Sequence, residues 1–109
     1  MLAKLYVQCT NFTDRSIAMV AETCANLTEL GVEECKLTAL PANIGKLSRL
    51  RILLASNNRL KELPRSIVEL DASCDLKVYD NPLQLPPLRI AMQGIPAIKR
   101  YFEEHDAIA

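Results

Sequence analysis

Apolar side chains recur along this chain in a fixed rhythm. In LRILLASNNRL, positions 50–60, Leu50, Leu53, Ala55 and Leu60 are apolar, with Asn58 placed between the last two. Leu27, Leu30, Val32, Cys35 and Leu37 repeat that spacing 23 residues earlier, and Ser73, Leu76, Val78, Asn81 and Leu83 repeat it 23 residues later. A further copy, Leu2, Leu5, Val7, Thr10 and Phe12, lies 25 residues before the Leu27 copy. Successive strand side chains point to opposite faces, so the alternation predicts short strands that send Leu30, Val32, Leu53, Ala55, Leu76 and Val78 inward. A unit with one apolar side cannot bury it alone, so the units must stack and share a core.

The segments between the strands differ in kind. LTALPANIGKL and LKELPRSIVEL agree nearly residue by residue, and the Pro in each favours extended or turn backbone before it. They therefore predict irregular returns or short helical turns. In the first unit, Ile17, Val20, Ala21 and Cys24 follow the helical period, with Thr13 or Asp14 placed to cap the helix. The ninth position of each unit, Thr10, Cys35, Asn58 and Asn81, falls where the chain leaves the strand. An amide there can bond the free backbone groups of adjoining turns, and a hydroxyl or thiol can still donate more weakly.

The two ends are treated differently. After Asn81-Pro82-Leu83 the chain is redirected by Pro86-Pro87, Gly94 can end one helix and Pro96 can open another. Ile95, Ile98 and Phe102 line one side of that last helix, as expected of a lid over the final repeat. At the other end the register begins at Leu2, which leaves no room for a capping element. Either the chain continues a longer solenoid, or something covers that end.

The pattern L-x-x-L-x-(L/V/A)-x-x-(N/C/T)-x-(L/F) resembles that of leucine-rich repeat proteins over essentially the whole chain. The first unit, with FTDRSIAMVAETCANLTEL, is similar to the cysteine-containing repeats of F-box adaptors. The next two resemble the 23-residue repeats of intracellular Ras-pathway scaffolds, and the NPL, PP and YF series resembles the closing unit of intracellular members. The resemblance implies an α/β fold: a short solenoid, or horseshoe arc, with a parallel concave sheet and a C-terminal helical cap. It implies one domain over 1–109, with repeats at about 2–26, 27–49, 50–72 and 73–94 and a cap helix at about 95–105.

Composition narrows the chemistry. Half the residues are hydrophobic, and 13 basic residues balance 13 acidic ones, a profile that fits a soluble chain and points away from nucleic acid. Apolar runs such as AMVA and ILLA fall far short of the roughly 20 residues of a membrane helix, and MLAKLYVQ lacks a secretory pattern, so the expected address is cytoplasmic. Cys9, Cys24, Cys35 and Cys74 show no C-x-x-C spacing and only one His accompanies them, so no metal is expected. The thiols read as small hydrophobes. No phosphate-cradling loop is present, so no cofactor is expected either. His105 sits among Glu103, Glu104 and Asp106 without a nucleophile, and Glu33-Glu34 lack an accompanying acid or ligand, so the chain is not expected to be an enzyme.

In leucine-rich repeat proteins, binding generally uses positions three, five, seven and eight of each unit, on the concave face. Carried onto this chain, the resemblance gives four rows: Lys4, Glu29, Ile52 and Asp75; Tyr6, Gly31, Leu54 and Lys77; Gln8, Glu33, Ser56 and Tyr79; Cys9, Glu34, Asn57 and Asp80. The expected contact residues are Tyr6, Glu29, Glu33, Glu34, Ile52, Leu54, Ser56, Asn57, Asp75, Lys77, Tyr79 and Asp80. Ile52 and Leu54 sit at the centre with charged residues around them, like a hot spot with a polar rim. The reading is a non-enzymatic interaction module or scaffold for a protein partner that is apolar with basic flanks. Two alternatives stay open: the substrate-recognition part of a ubiquitin-ligase-type assembly, or a structural subunit that self-associates or packs through its N-terminal end.

Overall fold

The computed structural model describes residues 3–8 and 12–108, and the side chains up to His105. Four strands of three residues each, β1 (Lys4–Tyr6), β2 (Glu29–Gly31), β3 (Ile52–Leu54) and β4 (Asp75–Lys77), form one parallel sheet in sequence order. The register is constant: Lys4, Glu29, Ile52 and Asp75 align, as do Leu5, Leu30, Leu53 and Leu76, and Tyr6, Gly31, Leu54 and Lys77. Every crossover returns the chain to the same edge, which is the parallel arrangement the constant spacing demands.

The returns change character along the chain. Helix α1 (Asp14–Thr23) follows β1, a 3₁₀ turn at Ile44–Lys46 follows β2, and another at Arg65–Glu69 follows β3. The short helices α2 (Leu88–Ala91) and α3 (Ile95–Ile108) follow β4. Thr13 caps α1 in a reciprocal box: its side chain accepts from the Ser16 amide while the Ser16 hydroxyl accepts from the Thr13 amide. Asp14, beside the cap, accepts from the Thr38 amide at 3.0 Å and so fastens α1 to the next unit. Helix α3 reaches Ile108, beyond the boundary near 105 expected from the sequence.

Leu30, Val32, Leu53, Ala55 and Val78 are fully buried and Leu76 nearly so, joined by Leu27, Leu37, Leu47, Leu50, Leu60 and the 3₁₀ residues Ile44 and Ile67. One continuous core runs through all four units and is closed by Ile95, Ile98 and Phe102 of α3. Each fully buried Leu or Ile contributes about 1.5–3 kcal/mol relative to exposure. The Arg65 guanidinium lies 4.8 Å from the Phe102 ring centroid, tying α3 to the last 3₁₀ turn.

A polar ladder runs beside the core. Asn58 Oδ1 accepts from the Cys35 and Leu37 amides at 2.9 and 3.0 Å, and its Nδ2 donates to the carbonyls of Val32, Ala55 and Ser56. Asn81 repeats the motif, accepting from the Leu60 amide and donating to Ala55, Val78 and Tyr79. At Cys35 the thiol takes the donor's place, 3.3 Å from the Glu33 carbonyl and 3.8 Å from that of Val7. The substitution keeps a rung of the ladder with a weaker donor. Leu2, Cys9 and Thr10 lie outside the described residues.

Candidate functional site

The side of the sheet opposite the core carries two aligned rows: Lys4, Glu29, Ile52, Asp75 and Tyr6, Gly31, Leu54, Lys77. At the β1 edge, the Lys4 ammonium lies 3.3 Å from the Glu29 carboxylate, and the Tyr6 hydroxyl donates to the same carboxylate. The Tyr6 bond foremost, then Lys4 and Arg51, hold the Glu29 carboxyl below its ordinary range, and the same bond raises the Tyr6 phenol. The Tyr6 ring covers the Gly31 backbone so closely that a Cβ there would fall 2.4 Å from its Cδ1. Glycine at this place lets an aromatic ring come down against the backbone of β2.

At the β4 edge, Lys77 Nζ sits 3.2 Å from Asp75 Oδ1 and 5.8 Å from the centre of the Tyr79 ring. Asp75 foremost, then Tyr79, raises the Lys77 ammonium. Between these two charge-aromatic groups stand Ile52 and Leu54 on β3, each half-buried beside the fully buried Leu53. An open depression of about 390 Å³ runs by Glu29, Arg51, Ile52 and Ser73.

Beyond the strands the expected rows divide. Glu33 is half-buried, Glu34, Asn57, Tyr79 and Asp80 are exposed, and Ser56 is only 3% exposed. Ser56 is thus a correction: its hydroxyl accepts from the Tyr79 amide at 2.9 Å, so it braces two turns and offers no surface to a partner. The physical reason is that β3 ends at Leu54, so strict alternation stops and Ala55 and Ser56 are buried consecutively. Glu34, Asn57 and Asp80 share left-handed backbone, with φ of 55°, 59° and 55°, one turn geometry in three successive units. Gly31 and Arg51 were absent from the expected contact residues. A glycine where sister units carry Tyr6, Leu54 and Lys77 is the signal that could have revealed the first.

Among the described residues no group of His, Cys, Asp and Glu could hold a metal ion, and no helix is long and apolar enough to cross a membrane. His105 lies on α3, stacked 4.3 Å from the Tyr101 ring. Cys74 is buried, and desolvation pushes its thiol up to about 11.

No family model and no solved structure match the chain. Two curated proteins do. The disease resistance-like protein DSC1 of Arabidopsis thaliana is 34% identical over 83 residues, which is 76% of this chain and 6% of that protein. Plant intracellular Ras-group-related LRR protein 4 of Oryza sativa subsp. japonica is 40% identical over 65 residues, 60% of this chain and 11% of that protein. The chain therefore spans a small fraction of the length of the curated relatives it matches. The constant register, the asparagine ladder and these relatives make the chain a leucine-rich repeat protein.

Proposed function

We propose that the chain is a single domain, a short leucine-rich repeat arc with α3 as its cap, that binds a protein partner on the concave face of its sheet. It works without catalysis, as an interaction module or scaffold in the cytoplasm. Dimensions of 40 × 25 × 20 Å are compatible with stacked units. The observation that carries the reading is the pair Ile52 and Leu54, central on the sheet and half-buried, with ordered charged and aromatic groups on both sides. Burying the exposed half of both against a partner would contribute about 1.5 to 3 kcal/mol before the costs of association. The partner would present an apolar knob to that centre, contacting Tyr6, Lys77 and Tyr79 around it, with basic residues reaching the carboxylates Glu33, Glu34 and Asp80.

The double variant I52D/L54D tests this. It should keep the circular dichroism spectrum and melting transition of the parent and lose capture of partner from a lysate. Unchanged capture would sink the assignment to this face. A second reading draws on the β1 edge, where Leu5, Val7 and Phe12 are only partly buried and, among the described residues, β1 pairs with β2 alone. In that reading the domain packs through this end against another copy or subunit, and the mass in solution distinguishes it.

A further inference from the structure

The sheet face has a charge order along the strands as well as an apolar centre. Where the strands begin, the acids are already neutralised: Glu29 by Lys4, and Asp75 by Lys77. Arg51 stands exposed at the same end, close enough to lower the carboxyls of both Glu29 and Asp71. Where the strands end, Glu33, Glu34 and Asp80 follow with no Lys or Arg in their rows. Among the described residues, the Glu33 and Asp80 carboxylates have no hydrogen-bond or ion-pair partner. The next basic residue after Glu33 and Glu34, Lys36, comes after the buried rung Cys35, where the chain has turned out of the strand, and the next after Asp80 is Arg89.

Resting on the binding face proposed above, we infer that its occupant is a protein segment with a fixed charge order along the strands. Lys or Arg side chains lie over Glu33 and Asp80, an aliphatic or aromatic side chain sits on Ile52 and Leu54, and an acidic or polar group faces Arg51. Charge complementarity selects this occupant. A cation placed at the strand starts would compete with Lys4, Arg51 and Lys77, whereas one at the strand ends meets the Glu33 and Asp80 carboxylates, which have no counter-ion among the described residues. Glu29 and Glu33 are four residues apart and Asp75 and Asp80 five, at most about 17 Å at 3.3 Å per residue, a length that a short peptide spans.

A displayed library of random peptides, sorted on the wild-type chain and counter-sorted on I52D/L54D, tests the order. Expected winners carry Lys or Arg to one side of an apolar residue and lose roughly tenfold in affinity against E33K/D80K, and less against the milder E33Q/D80N. The same peptides with Lys changed to Glu should regain binding to E33K/D80K. Winners that need Ile52 and Leu54 yet ignore the changes at Glu33 and Asp80 overturn the charge order and leave the face reading standing. Winners that bind I52D/L54D equally, an absence of winners, or mass that rises with concentration through self-association on this face overturn both. Circular dichroism of each variant separates lost contact from lost fold.

Discussion

Asn58 satisfies five backbone groups that the turns leave open, and it does so while buried. Replacing it by Ala strands several of them in the interior, with an expected loss of about 3–4 kcal/mol in urea unfolding. Cys35 holds the equivalent place through a thiol, so Cys35→Ala should cost about 1 kcal/mol or less. Equal losses at both positions would contradict the ladder. The pH dependence follows from the same kind of local bonding. Glu29, Glu22 and Asp71 all have lowered carboxyls, through Tyr6, Lys46 and Ser73 respectively. A lowered folded-state value means stability that is present above the unfolded value and is lost as pH falls through the folded one. Thermal melting should therefore shift downward below about pH 4.5. Tyr6 works in the opposite sense: its raised phenol contributes below pH 10 and the contribution fades as pH rises through the folded value. Gly31→Ala displaces the Tyr6 ring, so a spectroscopic titration should find a tyrosine brought back toward pH 10. Ser56 marks the limit of residue-level legibility, because position seven was carried over from the family as a contact position while β3 ends two residues earlier, at Leu54.

Among the elements, helices and turns were legible wherever they depend on nearby residues. The cap of α1, the short turns after the Leu-Pro pairs and the final helix all rest on contacts or conformational limits within a few positions. Thr13→Ala should cost about 1 kcal/mol, read by thermal or urea unfolding. Phe102→Ala removes the buried anchor of α3 and the Arg65 contact together, with an expected cost of about 3–4 kcal/mol. What the sequence did not reveal depends on neighbouring units. The compensation of Glu29 and Asp75 by lysines on the same face needed strand register and side-chain direction. So did the close approach of the Tyr6 ring to Gly31, a contact between residues 25 apart in the chain. Glu22 likewise reaches Asn43 at 2.9 Å and Lys46 at 2.6 Å across two units, a bridge that no local pattern announces.

Across the whole molecule, the parallel sheet and its spacing were readable because one period governs the chain, and the candidate face followed by position alone. Its charge order was not, since two of its acids turned out to be already paired. Stacked units give a simple expectation for dynamics, in which each strand is protected by the neighbours on either side. Amide exchange should be slowest in β2 and β3 and faster in β1, which among the described residues pairs with β2 alone. Uniform protection would speak against stacking as the source of stability. The close approach at Gly45 decides how such a chain can be lengthened. A Cβ there would lie 2.7 Å from the Ser66 carbonyl and 2.9 Å from the Glu69 side chain, so the following return segment nests directly against it. Val68 occupies the same place one unit later, where the next return segment is built of the helices α2 and α3 instead of a 3₁₀ turn. The units are therefore not interchangeable modules: a second copy of 27–49 can be spliced in ahead of Leu50, whereas a second copy of 50–72 would set a valine where only glycine fits.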